Sequence, residues 1–300
     1  MKDFRIVFVG AVEASRHCLP EVLKCGFKPA AIFTVPPAKS GLHSDYADLS
    51  DIAAVHHIPI HYAEDLSSPE NAALIAQYRP DAIFVWGWSR IIRENVLAIP
   101  RLGSIGLHPS LLPENRGRHP IIWAIALGLP YTGLTFFWMD EGADTGDILA
   151  QQRIELSPDE DARSLYEKVK RTASEMIPRF LPMLANGTAQ RVPQDHSKAN
   201  SWRKRGKVDG AIDFRMSALT IDRLVRALTR PYVGAHVTVG GQEIRIWRTR
   251  VEPLAENSRN REFGRVLQVK DREIFVRTGD GTIVLVEHEF ECIPVVGSCF

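Results

Sequence analysis

The 300-residue chain has no apolar run of membrane-spanning length. Its longest candidates, Ala82 to Trp88 and Ile121 to Leu129, stop far short of the roughly 18 to 20 residues that a spanning helix needs. The N-terminus lacks the basic, apolar and small-residue order of a secretory leader, and Met1 to Gly10 reads as a buried strand. Cysteine is scarce. Cys18, Cys25, Cys292 and Cys299 form two distant pairs without CxxC spacing, which argues against a zinc or redox motif and for a reduced, cytoplasmic setting in which the thiols are filler. Net charge is also lacking, because 37 Lys and Arg meet 36 Asp and Glu. A residual +1 gives no whole-molecule field that would gather nucleic acid or an anionic membrane. The turn FVGAVEAS, Phe8 to Ser15, lacks GxGxxG and an acidic residue about 20 positions on, so a dinucleotide site is not expected there.

What is present alternates between strand and helix. Strand-like runs are Arg5 to Val9, Ala30 to Val35, Ala82 to Trp86, Ser104 to Leu107, Gly133 to Trp138 and Ile148 to Ile154. Helical periodicity occupies Glu13 to Cys25, Ala47 to His56, Pro69 to Tyr78 and Pro120 to Leu127. This order predicts an α/β domain, a Rossmann-like and mostly parallel sheet with helices on both faces. A long helix is expected over Asp159 to Leu184, kinked or broken by Pro178 and Pro182.

Texture changes at Arg191. Residues 191–209 (RVPQDHSKANSWRKRGKVD) are polar and basic without periodicity, a linker or functional loop between a 1–190 domain and a 210–300 domain. After one helix at Leu219 to Leu228, close-spaced runs at Ala235 to Val239, Ile244 to Arg248, Gly264 to Val269, Glu273 to Arg277 and Thr282 to Glu287 predict a small β-barrel-like (OB-type) domain. Between residues 201 and 250, eleven Lys and Arg face four Asp and Glu. The neutral total therefore hides a local basic excess, either a solvated surface or a phosphate site.

Two stretches carry chemistry: IGLHPSLLPENRGRHP, Ile105 to Pro120, and TFFWMDEGADTGDIL, Thr135 to Leu149. Each starts as a buried strand and breaks into Gly, Pro and polar residues. His108 is thus expected at a strand tip and Asp144 in a turn at a neighbouring strand end, a pair in which a carboxylate orients an imidazole.

HPSLLPENRG (His108 to Gly117) with MDEGADTGDI (Met139 to Ile148), supported by VRALTRPYVGA (Val225 to Ala235) and IRIWRTRV (Ile244 to Val251), resembles the N10-formyltetrahydrofolate-dependent formyltransferases over roughly residues 4 to 290. That family includes methionyl-tRNA formyltransferase and the nucleotide-sugar N-formyltransferases. The resemblance implies an N-formyltransferase with His108 and Asp144 catalytic and no metal. It also implies a folate co-substrate read by Trp86, Gly87, Trp88, Ser110, Leu111, Leu112, Pro113, Met139, Asp140 and Gly142. The family asparagine two residues before the histidine is replaced here by Gly106, so Asn115, His119, Ser110 or a water would have to support the oxyanion. Trp86 and Trp88 have an alternative reading as core aromatics.

For the acceptor, the loop Pro36 to Asp45 holds one lysine, where a tRNA enzyme should carry a long basic insertion. Arg203, Lys204 and Arg205 form a short cluster suited to a diphosphate. The expected acceptor is a nucleotide-linked amino sugar, as in lipopolysaccharide biosynthesis, with methionyl-tRNA less favoured; no membrane partner is expected and a homodimer is allowed. A folate-binding protein without turnover is the alternative of another class.

Overall fold

A computed structural model of the chain describes residues 4–42 and 44–300. Met1 to Asp3 of the expected first strand, and His43 of the Pro36 to Asp45 loop, lie outside the described residues. The chain divides into two compact units. One comprises Met1–Pro120, Tyr131–Glu155 and Glu167–Trp202; the other comprises Ile121–Pro130, Leu156–Tyr166 and Arg203–Phe300.

The first unit begins with β1 (Ile6–Val9), α1 (Glu13–Lys24), β2 (Ala31–Thr34), α2 (Ser50–Val55), β3 (Ile60–Tyr62), α3 (Pro69–Gln77), β4 (Ala82–Val85), α4 (Glu94–Leu97) and β5 (Gly103–His108). β1, β2 and β4 are buried at every position, which is why they read as continuous apolar runs rather than alternating ones. β3 carries no such signal, being three half-buried or exposed residues after Pro59, and the sequence reading missed it. A short β6 (Arg116–Gly117) and α5 (Pro120–Ala126) precede β7 (Tyr131–Trp138) and β8 (Ile148–Glu155). The sheet order is β3-β2-β1-β4-β5-β7-β8. Pairings from β3 through β5 are parallel, whereas β5-β7 and β7-β8 are antiparallel. The order reverses between β1 and β4, so the segment after β4, Trp86 to Trp88, lies at the topological switch point, where open α/β sheets bind ligands.

The long helix α6 (Ala162–Ala185) starts later than expected and does not break. Its start is set by a reciprocal cap: the Ser164 amide donates to Asp161 Oδ1 (2.8 Å) and the Asp161 amide donates to Ser164 Oγ (3.1 Å). Pro178 and Pro182 both face solvent, where water can serve the carbonyls they leave unbonded, while Ile177, Phe180, Leu181 and Leu184 hold the other face in the core. Packing overrides the local breaker.

A two-residue strand β9 (Ser201–Trp202) pairs in parallel with β6. The second unit then contains α7 (Ala218–Leu228) and β10 (Ala235–Val239), β11 (Gln242–Glu252), β12 (Val266–Lys270), β13 (Glu273–Arg277) and β14 (Thr282–His288). The five strands form one antiparallel sheet, β10-β11-β14-β13-β12, the expected small β domain. α7 buries Ile221, Leu224, Val225 and Leu228, one helical stripe, and packs on β11. Cys18 is buried and Cys292 and Cys299 are exposed; all four cysteines are free thiols. Among the described residues no helix is long and apolar enough to cross a membrane.

Candidate active site

Side chains alternate along β5, so Gly106 and His108 project from the same face. His108 is the last residue of the strand and is buried. Because β7 is antiparallel, His108 stands opposite Thr135 and Gly106 opposite Phe137, while Trp138, the end of β7, stands opposite Ile105. The two strand ends are therefore not neighbours, contrary to the sequence-based expectation. Trp138 lies three residues back along β5, roughly 10 Å at strand rise. Asp144 reaches His108 only because the loop between β7 and β8 folds back. Its base is closed by Trp138 N to Asp147 O and Met139 N to Ser104 O, both 2.8 Å. Its tip is tightened by Asp140 Oδ1, which accepts from the Gly142 amide (3.1 Å) and the Thr145 hydroxyl (2.5 Å). Asp144 itself has φ +57°, a left-handed conformation that costs a non-glycine residue roughly 1 kcal/mol or more. The result is Asp144 Oδ2 at 3.6 Å from His108 Nδ1, ion-pair distance rather than a hydrogen bond.

The opposite ring nitrogen, His108 Nε2, is 2.8 Å from the Asn115 carbonyl. A carbonyl can only accept, so Nε2 carries a hydrogen, the ring plane is fixed by that bond, and Nδ1 is left facing Asp144. Asn115, at φ +62°, is fixed by Asn200: its amide donates to Asn200 Oδ1 (2.7 Å), and Asn200 Nδ2 donates to Asn115 Oδ1 (3.1 Å). Next in the loop, Gly117 donates its amide to Asp144 Oδ2 at 2.8 Å. It adopts φ +99°, and a Cβ there would run into the Trp202 carbonyl, so the β6–β9 pairing admits only glycine.

Of the residues considered as oxyanion donors, Ser110 and Asn115 have their side chains engaged elsewhere. The Ser110 hydroxyl donates to the Glu114 carbonyl (2.9 Å). Asn115 meets the histidine through its carbonyl while Asn200 takes its side-chain oxygen. His119 sits at φ +59° just before α5. The backbone of Ser110 to Pro113 is held from β7 and β8: Thr135 Oγ1 donates to Ser110 O (2.7 Å) and Gln151 Nε2 to Leu112 O (2.8 Å). Leu111 packs over Gly133, where a Cβ would collide with it.

The Trp86 ring is fully buried and stacks on Phe84 at 4.6 Å, so it belongs to the core. Gly87, at φ +83°, accepts from the Ala11 amide (3.3 Å). Trp88 differs. Half-buried, it packs, like Met139, on the apolar cluster of β1, β2 and β4, and among the described residues its buried indole N–H has no hydrogen-bond partner, as is also true of Trp86. An apolar wall with one unspent donor suits a flat heteroaromatic ring.

Arg203, Lys204 and Arg205 lie in the second unit. Arg203 pairs with Asp209 through both guanidinium nitrogens, which holds the Asp209 carboxyl well below the usual range. Arg205 is half-buried over the Trp123 ring, 4.6 Å from its centroid, and burial lowers its basicity. Arg203 also lies over Trp123, at 5.5 Å. Lys204 extends from the same turn into solvent.

Sequence reasoning missed Arg116, Gln194 and Asn200. Arg116 and Gln194 are buried although both lie in polar stretches, and the partners that tie them together are 48 or more positions away, so no local pattern marks them.

Comparison with known proteins resolves what this geometry belongs to. A family model described as "Formyl transferase" matches residues 5–181, and one described as "Formyl transferase, C-terminal domain" matches residues 205–296. The chain belongs to the formyl transferase family. Curated relatives include methionyl-tRNA formyltransferases of Agathobacter rectalis, 30% identical over 289 residues, and Acetivibrio thermocellus, 32% identical over 289 residues. Each alignment covers 96% of this chain and 92% of the relative. A solved N-formyltransferase from Helicobacter canadensis, in complex with folinic acid and dTDP-3-aminofucose, shares the fold with TM-score 0.69 at 19% identity, over 94% of this chain and 98% of that one. As a formyl transferase the chain is a formyl-transferring enzyme.

Proposed function

We propose that this formyl transferase moves the formyl group of N10-formyltetrahydrofolate to the amine of a nucleotide-linked amino sugar, with His108 and Asp144 as its catalytic pair. The observation that carries the chemistry is the 3.6 Å approach of Asp144 Oδ2 to His108 Nδ1, whose ring is held by the Asn115 carbonyl. Formyltetrahydrofolate supplies a formyl group already activated on nitrogen, held against Trp88 and Met139. Asp144 accepts the proton that the attacking amine sheds as its nitrogen bonds to the formyl carbon. His108, its Nε2 committed to the Asn115 carbonyl, donates from Nδ1, which at 3.6 Å makes no hydrogen bond to Asp144, to the formyl oxygen as negative charge develops there. The C–N bond to the folate then breaks, and the folate nitrogen takes up a proton.

The sugar-nucleotide acceptor is supported by the segment after β2. Residues Pro37–Leu42 form a compact 3-10 turn with one cation, Lys39, and that cation is already paired with Glu64 at 3.6 Å. A phosphodiester backbone is bound by arrays of uncommitted cations, whereas a diphosphate needs two or three. In the basic turn at Arg203, Lys204 and Arg205, Arg203 is bound to Asp209 and Lys204 is the exposed cation left for a phosphate. Methionyl-tRNA is the second reading, supported by the 30% and 32% identical relatives.

The assay is tetrahydrofolate release from N10-formyltetrahydrofolate with UDP-, GDP-, dTDP- and CMP-linked amino sugars and, separately, charged initiator tRNA. Turnover with one amino-sugar nucleotide and none with tRNA is the expected result. Turnover with tRNA alone overturns the acceptor assignment, and none with any amine overturns the reaction.

A further inference from the structure

The buried side chain of Gln194 has every hydrogen-bonding position in use. Its Nε2 donates to two backbone carbonyls in the Asp144 loop, Asp144 O at 2.9 Å and Gly146 O at 2.6 Å. Its Oε1 accepts twice from Arg116, from Nε at 3.2 Å and from a terminal nitrogen at 2.6 Å. The same terminal nitrogen of Arg116 is 3.1 Å from His196 Nδ1. Among the described residues no carboxylate lies within ion-pair distance of Arg116. A buried guanidinium is thus matched to neutral acceptors, and its pull polarises the Gln194 amide, strengthening the two bonds the amide donates.

The position of this bridge gives it a function. Arg116 precedes Gly117, whose amide grips the Asp144 carboxylate, and follows Asn115, whose carbonyl holds His108. Gln194 therefore ties the loop that carries Asp144 to the 115–117 segment that contacts His108 and Asp144. At one end it binds the Arg116 side chain; at the other it holds the carbonyl of Asp144 in its left-handed conformation. An aspartate relaxing from φ +57° would swing its carboxylate away from His108, and the two Gln194 bonds oppose that relaxation.

We infer that Gln194, held by Arg116, is a positioning residue that keeps Asp144 facing His108. This rests on the reading in which Asp144 serves the reaction, and the tests separate the two. With an acceptor in hand, Gln194→Met should lower kcat about 10- to 100-fold and move the KM for formyltetrahydrofolate less than about threefold. In an Asp144→Asn background the same change should cost less than about threefold more, because its target is already gone. Equal losses in both backgrounds, or unchanged kcat, overturn the inference.

A second measurement needs no acceptor. Hydrogen exchange of residues 140–148 should accelerate in Gln194→Met while β1 and β4 stay protected. Unchanged exchange in that loop overturns the inference even if the wild-type enzyme turns over no amine tested. Should Gln194→Met fail to fold, Gln194→Glu supports the same comparison, since it keeps the volume and the Arg116 partner but loses both donated bonds.

Discussion

Phe137 lies across Gly106. The two are directly paired between β7 and β5, and a Cβ on Gly106 would sit 2.7 and 2.8 Å from the ring's Cε1 and Cζ and 3.1 Å from Met139 Cγ. The place where family resemblance expects an asparagine side chain is filled by this ring. Phe137 is itself buried, so it has little room to withdraw.

Restoring the family residue should therefore harm the protein. Gly106→Asn is expected to destabilise by about 1 to 3 kcal/mol through overpacking. In a Phe137→Ala background, which itself costs about 3 to 5 kcal/mol, Gly106→Asn should cost less than it does in wild type, because the ring that the new side chain meets is gone. Urea unfolding of the two single variants and the double variant checks this; additive losses would mean that the ring is not the obstacle.

The proposed catalytic pair makes a separate demand. His108→Ala and Asp144→Asn should each reduce turnover by about 100-fold or more while unfolding midpoints stay near wild type. Single-turnover formyl transfer measures the loss. Rates within a few-fold of wild type in either variant would remove that residue from the reaction.

The basic turn splits into different tasks. Among the described residues Lys204 pairs with no carboxylate, whereas Arg203 is bound to Asp209 and lies over Trp123. Lys204→Ala should raise the KM for a phosphate-bearing acceptor by about fivefold to tenfold with little change in stability. Arg203→Ala should instead disturb the fold of the turn by releasing Asp209. Initial rates and thermal unfolding on the same two variants distinguish the outcomes.

Acid should weaken the C-terminal unit through His236. This side chain is buried in β10; burial is the main cause of its lowered pKa, opposed by Glu243 and reinforced by Arg245 and Lys207. The folded state resists protonation more than the unfolded state, so this contribution is present above the ordinary histidine pKa of about 6.5 and is lost as pH falls. Urea midpoints between pH 7.5 and 5.5 should fall less steeply in His236→Leu. A remaining slope is expected from His17 and His61, which burial shifts in the same direction.

The sequence by itself determined the layered α/β unit and the smaller β unit, and it singled out His108 and Asp144 as candidates. Each of these depends on short-range information: unbroken apolar runs in β1, β2 and β4, the stripe on α7, and Gly-, Pro- and Asp-rich breaks after strands. Local rules also misled in identifiable places. Pro178 and Pro182 stay within α6 because both face water, and β3 was too short and too exposed to be seen.

Only the tertiary structure decided how the site is assembled. The antiparallel register of β7 carries its end away from His108, so Asp144 arrives by a folded-back loop, a relation that no spacing encodes. Gln194 and Arg116 become buried because each satisfies the other across 78 positions of chain. Phe137 explains Gly106 because strand pairing sets it directly opposite. In each case the deciding contact joins residues far apart in sequence, and a side chain's polarity alone does not reveal which distant partner will satisfy it.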